Sequence, residues 1–516
     1  MAGDLFLGID VGTYESKGVV VNVAGDIVAQ AATPHTLDVP RPGWAEHDAD
    51  AVWWHDVCVL CRRLNALVPG GLERVSAVGL SALGADMLPI GEDGRPLRKA
   101  ILYGIDTRTE PQISRLNERL GADTILKRCG NALSTQAVGP KILWFRENEP
   151  DLFERTFKVH TASSYLAYRM TGQHVIDYYT ATAFTPLFDI HALTWSQDFA
   201  KGIIDVDRLP ELRWPAEVIG GVTREAAQQT GLRAGTPVIA GTCDAAAEAV
   251  SVGVTEPGDL MVMYGSTFFF ILVTAELTIS ADLWSAVFCF PRTFVLAGGM
   301  ATSGALTRWF RDNFARELVQ AESPTGRSAY QALADEAATV PPGSRGLLVL
   351  PYFSGERTPI QDPRARGIVA GLTLSHGRGE LFRAILEGTA YGVRHHLDAF
   401  MKAGAGVRRL VAVGGGTKNP LWVQIVSDVT GMRQEVPLVT VGAAYGDAFL
   451  AALGTGVVKS LVELRTRWLK QPRLIEPDPE RRAIYDRLYA CYRELYPTTR
   501  RIVYELVALA DEGSPL

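Results

Sequence analysis

The chain has 516 residues, with 51 Lys and Arg against 57 Asp and Glu, a formal charge of −6. Apolar residues make up 47% and charged residues 21%, which excludes a disordered chain and gives about two to four domains room to bury cores of their own. Mild overall acidity gives no footing to a nucleic-acid or anionic-membrane surface, so positive potential for any phosphate must be local.

In chain order, Leu5–Asp10 is a short apolar run ending at a carboxylate, Gly12-Thr13 turns, and Lys17–Val23 and Ile27–Thr33 complete an antiparallel meander. Ala51–Leu67, Pro111–Gly121 and Asp151–Thr171 carry apolar residues at helical spacing. Near residue 258 the opening pattern returns: Leu260–Tyr264, the turn Gly265-Ser266-Thr267, then Phe268–Thr274. Two strand–turn–strand units predict two copies of one domain type, divided near Gly253–Gly258. Gly304–Glu317, Gly379–Ala403 and Asn419–Thr430 read as helices, and Ile484, Leu488, Cys491 and Leu495 mark an amphipathic helix that Pro497 interrupts and Ile502–Leu509 resumes.

Six cysteines are too sparse for a disulfide scaffold. Cys58-x-x-Cys61 has no second pair and no close His pair, so it reads as two packed thiols on a helix. The N-terminus has Asp4 and Asp10 and no basic region, unlike a signal peptide. Leu260–Ala275 is broken at Tyr264–Thr267 and falls short of the roughly 20 residues of a membrane span. A cytoplasmic protein is expected.

Four segments have the residue types of a phosphate or proton-transfer site. Asp10-Val11-Gly12-Thr13 ends a strand; turns of this kind expose backbone N–H groups and a hydroxyl that can bind phosphate oxygens, the Asp can hold hydrated Mg²⁺, and Lys17 follows at a distance from which it could reach the same anion. Taken alone, that segment is better explained by a plain β-turn in which Gly12 supplies a positive φ. Gly265-Ser266-Thr267 is its counterpart in the second half. Val411–Gly416 is an apolar strand running into three glycines, after which Thr417 or Asn419 caps a helix opened by Pro420. That arrangement suits a nucleotide phosphate, since a bare turn needs one glycine and hardly three. It is no Walker loop and no dinucleotide fingerprint. Asp244 opens the helix Ala245–Val250, a place from which a carboxylate can accept a proton, but spacing alone favours the common N-cap role.

Taken together, these segments resemble the FGGY family of carbohydrate kinases, xylulokinase-like in detail, over about Leu5–Gly456. The resemblance is carried by Leu5–Lys17, by Pro42–Asp48 with Trp53-Trp54, by Asp93–Leu97 and Asp106-Thr107-Arg108, by PYFSGERTPIQDPRARGIVAG at 351–371, and by GTKNPLWVQIVSDV at 416–429. It implies an α/β fold of two actin-like, ribonuclease-H-like ATPase domains flanking a cleft: a sugar-binding 1–253 with the first phosphate segment, and a nucleotide-binding 254–516 with terminal helices over 478–512. It implies Asp244 as general base, within Gly241–Gly253. Asp10, Gly12, Thr13 and Lys17 then fall on the first phosphate segment, and Gly265, Ser266 and Thr267 on the second. Gly304 contacts nucleotide phosphates, and Gly415, Gly416 and Asn419 contact adenosine. The implied activity is ATP- and Mg²⁺-dependent phosphorylation of a terminal hydroxyl of a small sugar, with a ketopentose such as xylulose first. Another ketose, a short polyol, or a non-catalytic sugar sensor remain alternatives, and a homodimer is open.

The chain departs from the family at the sugar side. Many xylulokinases have G-Q-M-H where this chain has Ala82-Leu83-Gly84-Ala85, followed by Asp86, and the W-N-D-x-R stretch reads Tyr103-Gly104-Ile105-Asp106-Thr107-Arg108. A lost His and an added carboxylate change which hydroxyls are bound. Asp86, Asp106 and Arg108 are the candidates for sugar hydroxyls, with Trp44 as an apolar wall; for the charged three, a solvated loop is the competing reading.

Overall fold

The structure, a computed structural model, describes residues 5–322, 326–438 and 441–512. Two compact units interleave along the chain. One comprises Met1–Glu256, Ala275–Val295 and Val441–Lys470; the other comprises Pro257–Thr274, Leu296–Thr440 and Gln471–Leu516. The first crossing lies between Glu256 and Pro257. The return of 275–295 and 441–470 to the first unit departs from the expected two consecutive halves.

In the first unit, Leu5–Val11, Glu15–Asn22 and Ile27–Pro34 form the expected antiparallel meander. The Asn22–Asp26 turn is built for it: Asn22 Oδ1 accepts from the backbone N–H of Ala24 and Asp26, and Gly25 supplies φ +87°. Leu5–Val11 is apolar and nearly continuously buried because it is the inner strand, with Val75–Ala82 parallel to it on its other side. Pro237–Ile239 and Thr242–Cys243 run parallel to Val75–Ala82 in turn. Parallel strands place Asp10, Ser81 and Thr242 side by side at one end of the sheet, with Asp244 just beyond.

The helix Ala443–Gly454 covers this sheet, and glycines permit its approach. A Cβ on Gly8 would lie 1.9 Å from the Ala444 carbonyl oxygen, and one on Gly79 would lie 2.1 Å from that of Asp447. On the helix itself, a Cβ on Gly446 would lie 2.1 Å from the Ala247 carbonyl oxygen. This backbone-to-backbone packing is why 441–470 belongs with the first unit.

The helix expected over 151–171 is instead three elements: a helix Pro150–Glu154, a strand Lys158–His160 and a helix Ala162–Thr171. The strand pairs antiparallel with Leu88–Ile90, and the Thr161 hydroxyl caps the second helix by accepting from Ser164 N–H. A strand of three residues leaves too few positions to interrupt a helical period in the sequence.

The second unit repeats the order of the first. Its strands run Phe294–Gly299, Phe268–Thr274, Asp259–Tyr264, Arg409–Val413, Gln434–Val436, Arg473–Ile475 across the sheet. Asp259–Tyr264 is again the inner strand, antiparallel to Phe268–Thr274 and parallel to Arg409–Val413. The helices Gly304–Phe314, Arg378–Lys402 and Pro420–Thr430 lie close to their expected bounds. Pro497 does not interrupt the terminal helix, which runs unbroken over Arg482–Glu512. Proline deletes one donor and costs about 3 kcal/mol inside a helix. Tertiary packing offsets that cost: Tyr485 and Tyr492 are buried, Tyr352 and Tyr492 join hydroxyls at 3.0 Å, and Tyr496 donates to Asp362.

Candidate functional site

The carboxylates of the first unit gather where its parallel strands end. Ser81 Oγ lies 3.2 Å from Asp10 Oδ1 and 2.6 Å from Asp447 Oδ2, joining the inner strand to the covering helix. Asp244 Oδ1 accepts from Ala245 N–H at 2.7 Å and from Cys243 Sγ at 3.0 Å. It is thus fixed at the first turn of its own helix, where the N-terminal dipole favours a negative charge. Glu248 follows one turn later.

Burial raises the carboxyl of Asp10 well above the usual range, and the charges of Asp244 and Glu248 add to it; Ser81 and Lys17 oppose the shift. Asp447 is raised well above its range by burial, with Asp10 and Asp244 adding. Burial raises Asp244 too, and raises Glu248 to about 7. Lys17 faces Asp10 across the strand pair and is paired with Glu15 at 3.3 Å. Four acids facing one lysine are short of positive charge, a deficit that a hydrated divalent cation fits. Among the described residues no three His, Cys, Asp or Glu side chains are grouped to ligate a metal directly.

The Gly12-Thr13 turn is braced from three sides. Gly12 N–H donates to Glu15 carbonyl at 3.1 Å, the Gly12 carbonyl faces His35 Nε2 at 3.1 Å, and Thr13 Oγ1 meets Tyr103 OH at 2.9 Å. Ser81, Asp447, Glu248, His35 and Tyr103 were not singled out by sequence reasoning. They stand on separate elements with no shared spacing, so no local signal marks them.

The expected sugar-side residues are more enclosed than a solvated loop. Asp106 Oδ2 accepts Ala45 N–H at 2.8 Å and pairs with Arg108 at 2.6 Å; Arg108 also pairs with Glu46 at 2.9 Å. The Arg108 guanidinium lies 3.8 Å from the Trp44 ring centre and 4.9 Å from that of Trp144. The two charges thus hold the half-buried Trp44 in place. Asp86 is fully buried, with Oδ1 accepting Ala162 N–H at 2.8 Å and Oδ2 unpaired. Its neighbour Ala85 adopts φ +61°, a conformation L side chains seldom take. Burial and then the Asp106 and Asp86 charges set Lys141 nearby: burial lowers its amine to about 7 against the pull of those acids, while its Nζ donates to the Ala137 carbonyl at 3.2 Å.

In the second unit the glycines meet at the matching sheet end. Gly265 N–H donates to Thr267 carbonyl at 3.1 Å, and Gly304 N–H donates to Gly265 carbonyl at 3.1 Å. A Cβ on Gly304 would lie 2.4 Å from that oxygen, so the helix Gly304–Phe314 starts directly on the turn, with Ser266 exposed. Gly414 takes φ +91°, a Cβ on Gly416 would press on Trp422 and Tyr264 at 2.8 and 2.9 Å, and Gly415 has open space beside it. Asn419 Oδ1 accepts Trp422 N–H at 3.2 Å, so Asn419 is the cap of Pro420–Thr430 and Thr417 is not. Both turns follow parallel neighbouring strands, placing Gly265–Thr267, Gly304 and Gly415–Asn419 in one neighbourhood.

Glu356 supports the same end: its Oε1 accepts Ala301 N–H at 2.7 Å and Arg357 N–H at 2.8 Å. Burial raises its carboxyl to about 8 from 4.5. The folded state therefore holds the proton more tightly than the unfolded chain, and stability falls as pH climbs from about 4.5 to about 8. Glu356→Gln keeps the acceptor and removes the titration. Its Tm is expected to exceed the parent's at pH 8 by more than at pH 5; equal differences at both values would contradict the assignment.

The model for the N-terminal domain of the FGGY family of carbohydrate kinases matches residues 5–251, and that for its C-terminal domain matches 260–455. The chain is 31% identical to the xylulose kinase of Escherichia coli (strain K12), over 98% of this chain and 100% of that protein. It is 30% identical to the glycerol kinase of Nocardia farcinica (strain IFM 10152), over 89% and 92%. The crystal structure of xylulose kinase from Rhodospirillum rubrum superposes with a TM-score of 0.89 at 30% identity, covering 97% of this chain and 100% of that one.

Proposed function

The chain belongs to the FGGY family of carbohydrate kinases, phosphotransferases acting on sugars, and we propose that it moves the γ-phosphoryl group of ATP to a terminal hydroxyl of a ketopentose such as xylulose. The observation that carries the reading is the meeting of Asp10, Ser81, Asp244 and the Gly12-Thr13 turn at one end of parallel strands.

In this reading Asp244 accepts the hydroxyl proton as the oxygen attacks phosphorus. Its raised proton affinity brings it nearer the operating pH, as suits a general base. Gly12 and Thr13, and Gly265, Ser266 and Thr267 in the second unit, hold phosphate oxygens with backbone and hydroxyl donors. Gly304 lets its helix end approach the same group, and Gly415, Gly416 and Asn419 flank the adenosine. Lys17 offsets phosphate charge beside Asp10. Mg²⁺, when bound through water at Asp10, supplies charge neutralisation at the phosphates. Positioning and electrostatics carry most of such a transfer. Trp44 forms the sugar wall, with Asp106 and Arg108 fixing its orientation and Asp86 shaping the pocket beside it.

A second substrate class has an observation of its own. The strained Ala85 stands where many xylulokinases have His, with the buried Asp86 beside it, favouring a different ketose or a short polyol of the ribulose, erythritol or glycerol type. ADP release with Mg-ATP across ketoses, aldoses and polyols, against a blank without sugar, tests both. A strong pentulose response supports the first reading, and a polyol response supports the second. A flat panel with intact ATP binding supports a sugar sensor and removes the catalytic proposal.

A further inference from the structure

His35 lies directly behind the first phosphate turn and no role in the reaction has been given to it. It follows the strand Ile27–Pro34 and is nearly buried, with 7% of its side chain exposed. Both ring nitrogens face acceptors. Nδ1 lies 2.8 Å from Asp56 Oδ2, and Nε2 lies 3.1 Å from the carbonyl oxygen of Gly12. Asp56 Oδ2 also accepts Ser16 Oγ at 2.8 Å, from the strand that follows the turn. A carbonyl oxygen has no proton to give, so Nε2 must carry one. A carboxylate at 2.8 Å from Nδ1 calls for a second proton between them.

We propose that His35 is a positioning residue for the nucleotide-phosphate turn: an imidazolium that donates to Gly12 and to Asp56 at once and so locks Gly12-Thr13 in its binding geometry. The proposal rests on the reading of that turn as a phosphate site.

The surroundings agree. His47 stands edge-on to His35 with ring centres 5.2 Å apart. Its Nδ1 accepts Trp53 Nε1–H at 3.1 Å, which leaves its one proton on Nε2. Burial, then the neighbouring His35, lowers His47 to about 4, so it stays neutral and does not compete for charge. On the helix His55–Leu67, His55 lies 3.5 Å from Asp56 Oδ1 and is exposed. Glu15 and Lys17 alternate with the inward-facing Ser16, so they point to the other face of their strand. Asp38 acts on the same pair through His47. Asp56 is therefore the acid in direct contact with His35. A ring with a single proton, held on Nδ1 by the carboxylate, would turn an Nε2 lone pair toward the Gly12 carbonyl. The brace on the turn is lost while the Asp56 contact survives.

The test compares His35→Phe and His35→Gln in the full chain with the sugar found to support turnover. A side-chain amide N–H can still donate to Gly12. Loss of a charge-assisted hydrogen bond predicts a KM for ATP raised about tenfold or more in the Phe variant, with the sugar KM nearly unchanged, and recovery of most of that loss by Gln. Nitrogen NMR of the histidine rings is expected to find a proton on both His35 nitrogens. A purely structural role would lower Tm and raise both KM values alike, or leave ATP KM untouched, and either result overturns the proposal, as does a singly protonated ring. Thr13→Val is the control. If it raises the ATP KM and His35→Phe does not, only the His35 role fails; if neither does, the phosphate-turn reading itself fails.

Discussion

Asp244→Asn is expected to lower kcat about 10²–10⁴-fold while the protein stays folded and binds ATP, because a general base contributes on that order. Asparagine keeps an oxygen for the Ala245 N–H contact, so the helix start is preserved. It cannot accept a proton. The raised carboxyl of Asp244 also sets the pH profile: activity rises with pH as the acid ionises, and the variant loses that rising limb. ADP release and nucleotide binding, measured on the same preparation, check both. Turnover within about threefold of the parent would remove Asp244 from the role of base. Loss of nucleotide binding as well would show that the substitution acts on the cluster of Asp10, Glu248 and Asp447 and not on proton transfer.

The second large effect concerns the first unit's covering helix. Gly79→Val is expected to cost at least the roughly 3 kcal/mol at the upper end of overpacking penalties, because the added Cβ would lie 2.1 Å from the Asp447 carbonyl oxygen. A backbone atom has no rotamer by which to move aside. The helix must lift, taking with it the Asp447 carboxylate that bonds Ser81, and Ser81 in turn reaches Asp10. A Tm fall of several degrees together with lost turnover is the expected outcome in thermal unfolding and ADP release. Gly406→Ala, with open space and no left-handed φ, is the matched substitution that leaves both unchanged. A Gly79→Val protein with parental Tm would refute the close approach.

Much of the site was legible because its parts are local. The Gly12-Thr13 and Gly265-Ser266-Thr267 turns each stand between two apolar runs of strand length, and the structure has strands on both sides of each. Asn419 and Pro420 announce a helix start through capping chemistry confined to four residues. Asp10 and Asp244 end or follow parallel strands, which is where such sheets present ligand-binding groups.

The parts that escaped are long-range. Ser81 and Asp447 are 366 residues apart in sequence and 2.6 Å apart in space. His35 and Asp56 look like unremarkable polar residues until a strand and a helix bring them under Gly12. Asp106 and Arg108 read as candidates for sugar hydroxyls against a solvated loop, and nothing in the sequence shows that Arg108 pairs with Glu46 and lies over Trp44 from another segment.

By itself, then, the sequence determined the α/β class, the doubled strand–turn–strand pattern, the two glycine turns and the family resemblance, since all of these rest on hydrophobic period, turn chemistry and short motifs. Only the tertiary structure decided which carboxylates share a buried region, that 441–470 returns to the first unit, that Pro497 sits inside a continuous helix, and that His35 braces a turn. Each of those depends on burial and on backbone approach between distant segments, and neither leaves a periodic trace in the chain.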